Sequence, residues 1–274
     1  MTHGGPRIPP SESPLGSLVP LGGRRFERLH NLIFVATTPS TNDLGKVIVE
    51  RMLEESEEIR LTVIVAGEQT AGRGRAGRPW TPLPGALALS AIVPWPAGPG
   101  RVRLPVETGI LLARGLSAAF GLDVRLKWPN DLLVSRKKLG GLLVEARSND
   151  EGEGWAVAGL GLNVFGTRAD LDGRGLSDAT SLEACGVAPA LLEGETPLLE
   201  ILEIIDEGVG EPTPEPMPEA FAAVSAHAVG EVLAVNEAGR IRRGAFAGVT
   251  ADGFLRLATE NGDETLVSGD VILF

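Results

Sequence analysis

The most informative stretch of the sequence is GEQTAGRGRAGRPW, residues 67–80. It directly follows residues 61–66, a β-branched and almost fully apolar run that predicts a strand buried on both faces. The glycines at 72, 74 and 77 match the G-x-G-x-x-G pattern of dinucleotide-binding folds. That fold needs a helix next, whose N-terminal N–H groups face a pyrophosphate, but prolines at 79, 82 and 84 exclude one. We therefore expect a loop here and not a Rossmann fold.

The same loop carries Arg73, Arg75 and Arg78 on a backbone that the glycines make flexible. Guanidinium groups form planar, two-pronged contacts with carboxylate and phosphate oxygens. In a chain whose formal net charge is −11, this concentration of positive charge predicts a site for an anion such as a nucleotide. From local composition alone, a solvated basic turn that binds nothing remains the alternative.

Composition narrows the class of protein. The chain has 274 residues, 43% of them apolar, which suits one large domain or two ordinary ones. With 25 Lys and Arg against 36 Asp and Glu, it is not a generally basic nucleic-acid binder. One Cys and three His argue against disulfides and zinc sites and favour a reducing, cytoplasmic location. No apolar run approaches the ~20 residues of a membrane span, so we expect no membrane partner.

Hydrophobic spacing predicts an alternating α/β region followed by an all-β tail. We expect residues 1–23, rich in Pro and Gly, to form a disordered N-terminal arm, residues 24–226 a larger domain, and residues 227–274 a small β-barrel. The predicted helices are 41 to about 58, after an approximate capping box of Ser40 and Asp43, then 106–120, 198–206 and 219–226. The predicted strands are 32–35, 61–66, 86–93, 124–128, 131–134, 139–146, 155–162, 231–235, 240–250, 254–259 and 264–274.

A second cluster of polar residues begins at Lys127 with the stretch KWPND and continues with KLGG at residues 138–141. The carboxylate of Asp131 can bind Mg²⁺, and the ammonium of Lys138 can neutralise a carboxylate or a phosphate. An Asn-Asp turn beside surface lysines is the inert alternative.

Five blocks in this order and spacing resemble the biotin protein ligases, also called biotin–[acetyl-CoA-carboxylase] ligases. They are STN at 40–42, GRGRAGRPW at 72–80, KWPND at 127–131, KLGG at 138–141 and GLGLN at 159–163. The resemblance covers residues 31–274. It implies an α+β fold of α/β type, in which a class-II-synthetase-like mixed sheet with flanking helices precedes a small C-terminal Src-homology-type β-barrel.

The resemblance also implies a two-step, ATP-dependent reaction with Mg²⁺. Biotin's carboxylate attacks the α-phosphate of ATP, giving biotinyl-5′-AMP and pyrophosphate, and a lysine of a biotin carboxyl carrier protein then takes the biotin and releases AMP. Some relatives carry an N-terminal DNA-binding domain, which the short arm cannot supply, so we expect no DNA binding. A homodimer is compatible with the sequence, which does not fix the oligomeric state.

Three sets of site residues follow from the resemblance. The catalytic set is Arg73, Lys138 and Asp131. The biotin-binding set is Ser40, Thr41, Gln69, Gly72, Arg73, Lys138, Gly141, Gly159 and Gly161. The nucleotide-binding set is Asn42, Arg73, Gly74, Arg75, Arg78, Trp80, Asn130 and Asn163. Lys138 is expected to bridge biotin's carboxylate and the α-phosphate, and Asp131 either to position Mg²⁺ or to orient the incoming amine.

Two alternatives stay open beside the biotin ligase. One is a lipoate or octanoate ligase of the same fold, and the other is a non-catalytic regulator that binds biotin or its adenylate. Cys185 has no basic partner nearby in sequence, so we interpret it as a packing residue, and we interpret the lone histidines at 30 and 227 as structural and not catalytic.

Overall fold

The computed structural model describes residues 17–18, 26–95, 102–148 and 154–272. Its largest element is a mixed eight-stranded sheet with the strand order β1-β2-β3-β4-β8-β7-β6-β5. The strands are β1 (Ser17–Leu18), β2 (Asn31–Thr38), β3 (Thr62–Gln69), β4 (Leu87–Pro94), β5 (Val124–Lys127), β6 (Asp131–Val134), β7 (Lys137–Ser148) and β8 (Gly154–Leu162). Only β2 and β3 pair in parallel, joined through the first helix, and the other neighbours are antiparallel.

Helices cover both faces of the sheet. α1 (Thr41–Glu54) packs on one face, and α2 (Leu104–Phe120), α4 (Thr196–Gly208) and α5 (Met217–Val224) form the layer on the other; the short α3 spans Arg168–Gly173. The alternation of strand side chains explains the two layers, since Val63 and Val65 of β3 face one core while Ile64 and Ala66 face the other. The prediction of a strand buried on both faces is confirmed.

The C-terminal region is a five-stranded antiparallel sheet with the order β12-β11-β10-β9-β13. Its strands are β9 (Val232–Glu237), β10 (Arg240–Val249), β11 (Leu255–Thr259), β12 (Gly262–Leu266) and β13 (Asp270–Ile272). Its core side chains belong to the same apolar cluster as those beneath the large sheet. The buried Trp128 Nε1 donates to Gly253 O at 2.9 Å, so the two sheets are also joined by a hydrogen bond.

Two predicted elements were wrong in their extent. The first helix ends at Glu54, because Ser56 takes a left-handed φ of 57°; the carboxylates of Glu55, Glu57 and Glu58 would also oppose the negative end of the helix dipole. The predicted last strand is two strands, since β12 pairs with β11 at one edge and β13 pairs with β9 at the other. The predicted N-terminal arm lies outside the described residues except for Ser17–Leu18, which pairs with β2.

His227 lies buried where the two sheets meet, as its prediction as a structural residue requires. Its ring stands edge-on to Phe246, and Nδ1 is 3.3 Å from Glu231 Oε2 without hydrogen-bond geometry. Burial lowers the pKa of His227 below its usual 6.5; Glu231 opposes that shift, while Arg136 and Lys127 reinforce it.

This burial predicts a pH-dependent stability. Because the unfolded chain takes up a proton near pH 6.5 and the folded chain resists it, stability from His227 is present above pH 6.5 and is lost as pH falls below it. We expect the melting temperature to fall less steeply between pH 7 and pH 5.5 in His227→Gln than in the wild type. His30→Gln, at an exposed site, is the control, and equal slopes for all three proteins would contradict the prediction.

Candidate active site

A cavity of about 380 Å³ opens where the arginine-rich loop, the middle of the large sheet and β13 come together. All of the site residues predicted from the sequence line it except Gly72 and Asn163. The predicted residues that line the cavity are Ser40, Thr41, Asn42, Gln69, Arg73, Gly74, Arg75, Arg78, Trp80, Asn130, Asp131, Lys138, Gly141, Gly159 and Gly161. Segments separated by more than a hundred residues of chain thus meet in one place.

One end of the cavity is neutral and rich in hydrogen-bonding groups. Ser40 caps α1, so the backbone N–H and hydroxyl of the next residue, Thr41, both reach Gln69 Oε1, at 2.7 and 3.0 Å. The fully buried hydroxyl of Ser90 lies 2.7 Å from both Thr41 Oγ1 and Asn42 Oδ1, and its one proton can serve either. This end suits an uncharged ring with amide-like donors and acceptors.

Asn42 belongs to this neutral end in the structure, although the nucleotide side was its predicted place. Its amide nitrogen donates to Leu143 O at 3.0 Å and to Glu145 Oε2 at 2.9 Å. A Cβ on Gly159 would come within 2.3 Å of Asn42 Oδ1, so the glycine lets the amide lie flat against β8. The side-chain amide is therefore committed to the wall of the cavity.

The other part of the cavity lining, its cationic end, contains three arginines and two lysines. Asp131 stands among them, its Oδ1 at 2.6 Å from Lys138 Nζ and its Oδ2 at 2.7 Å from Lys127 Nζ. Burial alone would raise the pKa of Asp131, but Lys138 and Lys127 outweigh it and hold the pKa below its usual 3.8. The carboxylate is thus ionised and shared between two ammonium groups.

The arginine loop closes on itself and then spans the cavity. Gly74 N donates to Arg78 O at 2.7 Å, and Ala76 and Gly77 between them take positive φ angles of 54° and 69°. Arg73 forms an ion pair with Asp43 on the α1 side. On the other side, Arg75 Nη1 donates to Gly269 O at 3.0 Å and Arg78 Nη2 to Asp270 Oδ1 at 2.8 Å.

Trp80 forms a wall of the cavity and packs against Gly72 and Gly161, two glycines of the predicted biotin-binding set. Its ring lies so close to Gly161 that a Cβ there would be 2.5 Å from Trp80 Cζ2. Gly72 accepts a hydrogen bond from Trp80 N at 2.9 Å, and a Cβ on Gly72 would be 2.8 Å from Trp80 O. Gly72 therefore closes the neck of the loop and does not line the cavity.

Asn163 lies outside this cavity because its polar groups fix a neighbouring turn. Its Nδ2 donates to Thr180 O at 3.0 Å, and its backbone pairs with Leu139 and Leu182. A second cavity of about 440 Å³ begins just beyond it, lined by residues that follow Trp80 and Asn163 in the chain. They include Leu83, Pro84, Gly85, Phe165, Gly166 and Thr167.

Several lining residues were missed by sequence reasoning. Lys127 stood in a quoted motif without a role. Ser90, which lies behind the lining and contacts Thr41 and Asn42, left a faint signal as a lone hydroxyl inside an apolar strand. Asp270 gave none, because its place in the site depends on how the C-terminal sheet docks. The other missed lining residues are Pro79, Leu89, Leu142, Leu143, Leu160, Asn236, Val271 and Ile272.

The described residues offer little for a metal ion. No group of three or more His, Cys, Asp or Glu side chains comes together among them. At the cationic end of the cavity, Asp131 is the candidate ligand, and both of its oxygens already bind ammonium groups. Since Mg²⁺ often uses one carboxylate together with substrate phosphates, Asp131 fits it once Lys138 moves to a ligand.

Comparison with known proteins gives a consistent result. Residues 34–163 match the biotin/lipoate A/B protein ligase family, and residues 231–273 match the biotin protein ligase C-terminal domain. The bifunctional ligase/repressor BirA of Bacillus spizizenii is 33% identical over 126 residues, which cover 44% of this chain and 38% of that protein. The biotin–[acetyl-CoA-carboxylase] ligase of Mycobacterium tuberculosis is 35% identical over 137 residues, 46% of each chain.

Among solved structures, the biotin protein ligase from Aquifex aeolicus in complex with biotin and ATP is similar over nearly its whole length. The TM-score is 0.64 at 25% sequence identity, covering 88% of this chain and 97% of that one. By contrast, the matched segment spans less than half the length of the two curated relatives. The predicted fold class is confirmed.

The close contact between Trp80 and Gly161 predicts a specific sensitivity. In Gly161→Ala the new methyl group must displace the indole ring, so we expect a shifted Trp80 fluorescence spectrum and a destabilisation of about 1–3 kcal/mol. The matched control is Gly173→Ala, where a Cβ meets no atom within 4 Å. An unchanged spectrum in Gly161→Ala would contradict the packing described.

Proposed function

We propose that this chain, which belongs to the biotin/lipoate A/B protein ligase family, is an ATP-dependent biotin protein ligase. It joins biotin to AMP as biotinyl-5′-AMP with release of pyrophosphate, and then transfers the biotinyl group to a lysine of a biotin carboxyl carrier protein. One observation carries the proposal: a single cavity has a neutral hydrogen-bonding end at Thr41 and Gln69 and a cationic end at the arginine loop and Lys138.

The two ends match the two halves of such a substrate. A ureido ring needs neutral donors and acceptors in fixed positions, which Ser40, Thr41 and Gln69 supply. A carboxylate and a triphosphate repel each other, so the reacting end needs cations placed where negative charge accumulates. Gly159 and Gly161 let Asn42 and Trp80 pack directly against β8, because side chains at these two positions would collide with them.

In the first step, a carboxylate oxygen of biotin bonds to the α-phosphorus of ATP, and the bond to pyrophosphate breaks. Arg73, Arg75 and Lys138 neutralise the oxygens of the reacting carboxylate and α-phosphate. Lys138 can leave Asp131 for them because Lys127 still pairs with that carboxylate. Mg²⁺, when bound with the nucleotide through Asp131, would neutralise further phosphate charge.

In the second step, the ε-amine of a carrier lysine attacks the acyl carbon of the adenylate. A C–N bond forms, the C–O bond to AMP breaks, and the amine loses a proton. Asp131, ionised and at the cationic end, is the carboxylate placed to orient that amine. The loop over the cavity shields the adenylate from water meanwhile, since hydrolysis would destroy it.

The nucleotide base has a natural place in the second cavity. That cavity is lined by residues that follow shortly after Trp80 and Asn163, two members of the predicted nucleotide-binding set. Trp80 would then stand between the biotin half and the base.

We expect the enzyme to act in the cytoplasm without binding DNA, as a monomer or a homodimer. Among the described residues, no helix is long and apolar enough to span a membrane.

The direct test is to mix the protein with biotin, MgATP and a biotin carboxyl carrier domain and to measure the mass of the carrier. We expect a gain of one biotinyl group that requires ATP, with AMP and pyrophosphate as products. Lipoate and octanoate in place of biotin test the related acyl ligases. Binding of biotin without any ATP-dependent product would instead support the non-catalytic regulator.

Lys138 offers a sharper test because Lys137 is its matched control. In Lys138→Met, loss of the ammonium at the reacting anions should slow adenylate formation by about 10²–10³-fold. Lys137→Met changes the neighbouring lysine, which does not line the cavity, and should keep near-wild-type rates. Adenylate formation is measured by pyrophosphate release. An equal fall in both variants would contradict the role of Lys138 at the reacting anions.

A further inference from the structure

Arg73 is held by charged side chains that neither the fold nor the proposed reaction accounts for. Its Nη2 contacts Asp43 Oδ1 and lies 4.0 Å from Glu145 Oε2. Within the described part of the chain, Nε and Nη1 of the same guanidinium have no partner, so most of its donors stay available to a ligand. The contact with Asp43 therefore holds the Arg73 guanidinium through Nη2 alone.

The anchoring carboxylates are themselves fixed by a third group. Lys46 Nζ lies 2.7 Å from Asp43 Oδ1 and 3.0 Å from Glu145 Oε1, and its side chain is only 18% exposed. Burial alone would lower the pKa of Lys46, but the hydrogen bonds to Asp43 and Glu145 outweigh it and raise the pKa above its usual value. Lys46 is therefore charged and holds α1 and β7 together at this point.

The network continues into the neutral end of the cavity. Glu145 Oε2 accepts a hydrogen bond from Asn42 Nδ2 at 2.9 Å, and Asn42 in turn packs against Ser90 and Gly159. Burial would raise the pKa of Glu145, yet the bonds from Asn42 and Lys46 keep it below its usual 4.5. The arginine loop and the wall around the ureido site are thus joined through adjacent polar contacts.

We propose that Asp43 is a positioning residue that holds the Arg73 guanidinium at the mouth of the cavity before any ligand binds, with Lys46 and Glu145 fixing Asp43 in place. The expected effect of Asp43 on adenylate retention rests on the proposed function, whereas its expected effect on the order of the loop does not. Asp43 touches no reacting atom. It reduces the freedom that the glycine-rich loop must lose when the anions arrive.

The first experiment needs no ligand. Amide hydrogen exchange of residues 72–80 is measured in the free protein, since Gly74, Arg78 and Trp80 N–H groups are bonded within the loop. An ion pair of this exposure contributes up to ~1 kcal/mol, so Asp43→Asn should speed exchange there by about three- to fivefold. The matched control is Asp123→Asn, which removes an exposed ion pair with Arg125, and it should leave the loop unchanged.

The second experiment measures release of free biotinyl-5′-AMP from the loaded protein. Asp43→Asn should raise the release rate by about three- to fivefold, and Asp43→Glu should restore retention because it returns a carboxylate. Arg73→Ala should leave the fold intact and leak more adenylate than either. If Asp43→Asn fails to fold, Lys46→Met removes the bridging charge while the Ser40 cap remains, and it should shift both readouts in the same direction.

The outcomes separate the two proposals. If the wild type forms no adenylate, the proposed function fails, while the ligand-free exchange still tests Asp43. Should Asp43→Asn lower the melting temperature but leave loop exchange like that of the wild type, Asp43 would serve only the first turn of α1, and the inference would be overturned. A loss of retention that Asp43→Glu does not restore would overturn it as well.

Discussion

Five cationic side chains converge on a cavity of about 380 Å³, and without ligand their mutual repulsion must be balanced by acceptors from the protein itself. At Arg75, burial lowers the pKa and Arg78 lowers it further, while Asp270 and Asp131 oppose both effects. Each cation in the cavity has such an acceptor. The fold must therefore bring together the parts of the chain that carry those acceptors.

The acceptors lie in three separate parts of the chain. Asp43 stands in the first turn of α1 and Asp131 begins β6, while Gly269, Asp270 and Val271 follow one another at the start of β13. The C-terminal sheet is therefore part of the candidate site and not an appendage to it. Its docking through a shared apolar core and Trp128 places three consecutive acceptors opposite the arginine loop.

The sequence predicted the local parts of this arrangement and missed the long-range ones. The loop between β3 and β4 and the helix start at Ser40 follow from local signals such as glycine, proline and capping residues, whereas the predicted lining residues came from the resemblance to biotin protein ligases. Asp43 gave only the signal of an approximate capping box and Asp270 gave none, because a partly exposed aspartate looks the same in a sequence whether or not the fold brings an arginine to it. The orientation of the Asn42 side chain could not be predicted for the same reason, because it depends on Glu145, about a hundred residues away.

The acceptors also divide the cations into two kinds. Besides pairing with the carboxylates of Asp131 and Asp270, Lys127 and Arg75 donate to the backbone carbonyls of Val271 and Gly269, which cannot move without disturbing β13. The side chains of this pair are 15% and 26% exposed. Arg73, Lys138 and Arg78 are 40% to 59% exposed, and their ion-pair partners are carboxylates. Half-exposed ion pairs of this type contribute little free energy, so a carboxylate or phosphate from a ligand can replace them at small cost. The fixed pair can thus keep the frame of the site in place, while Lys138 and Arg78 are free to transfer from internal carboxylates to the ligand. Arg73 can offer its remaining donors to the ligand without leaving Asp43.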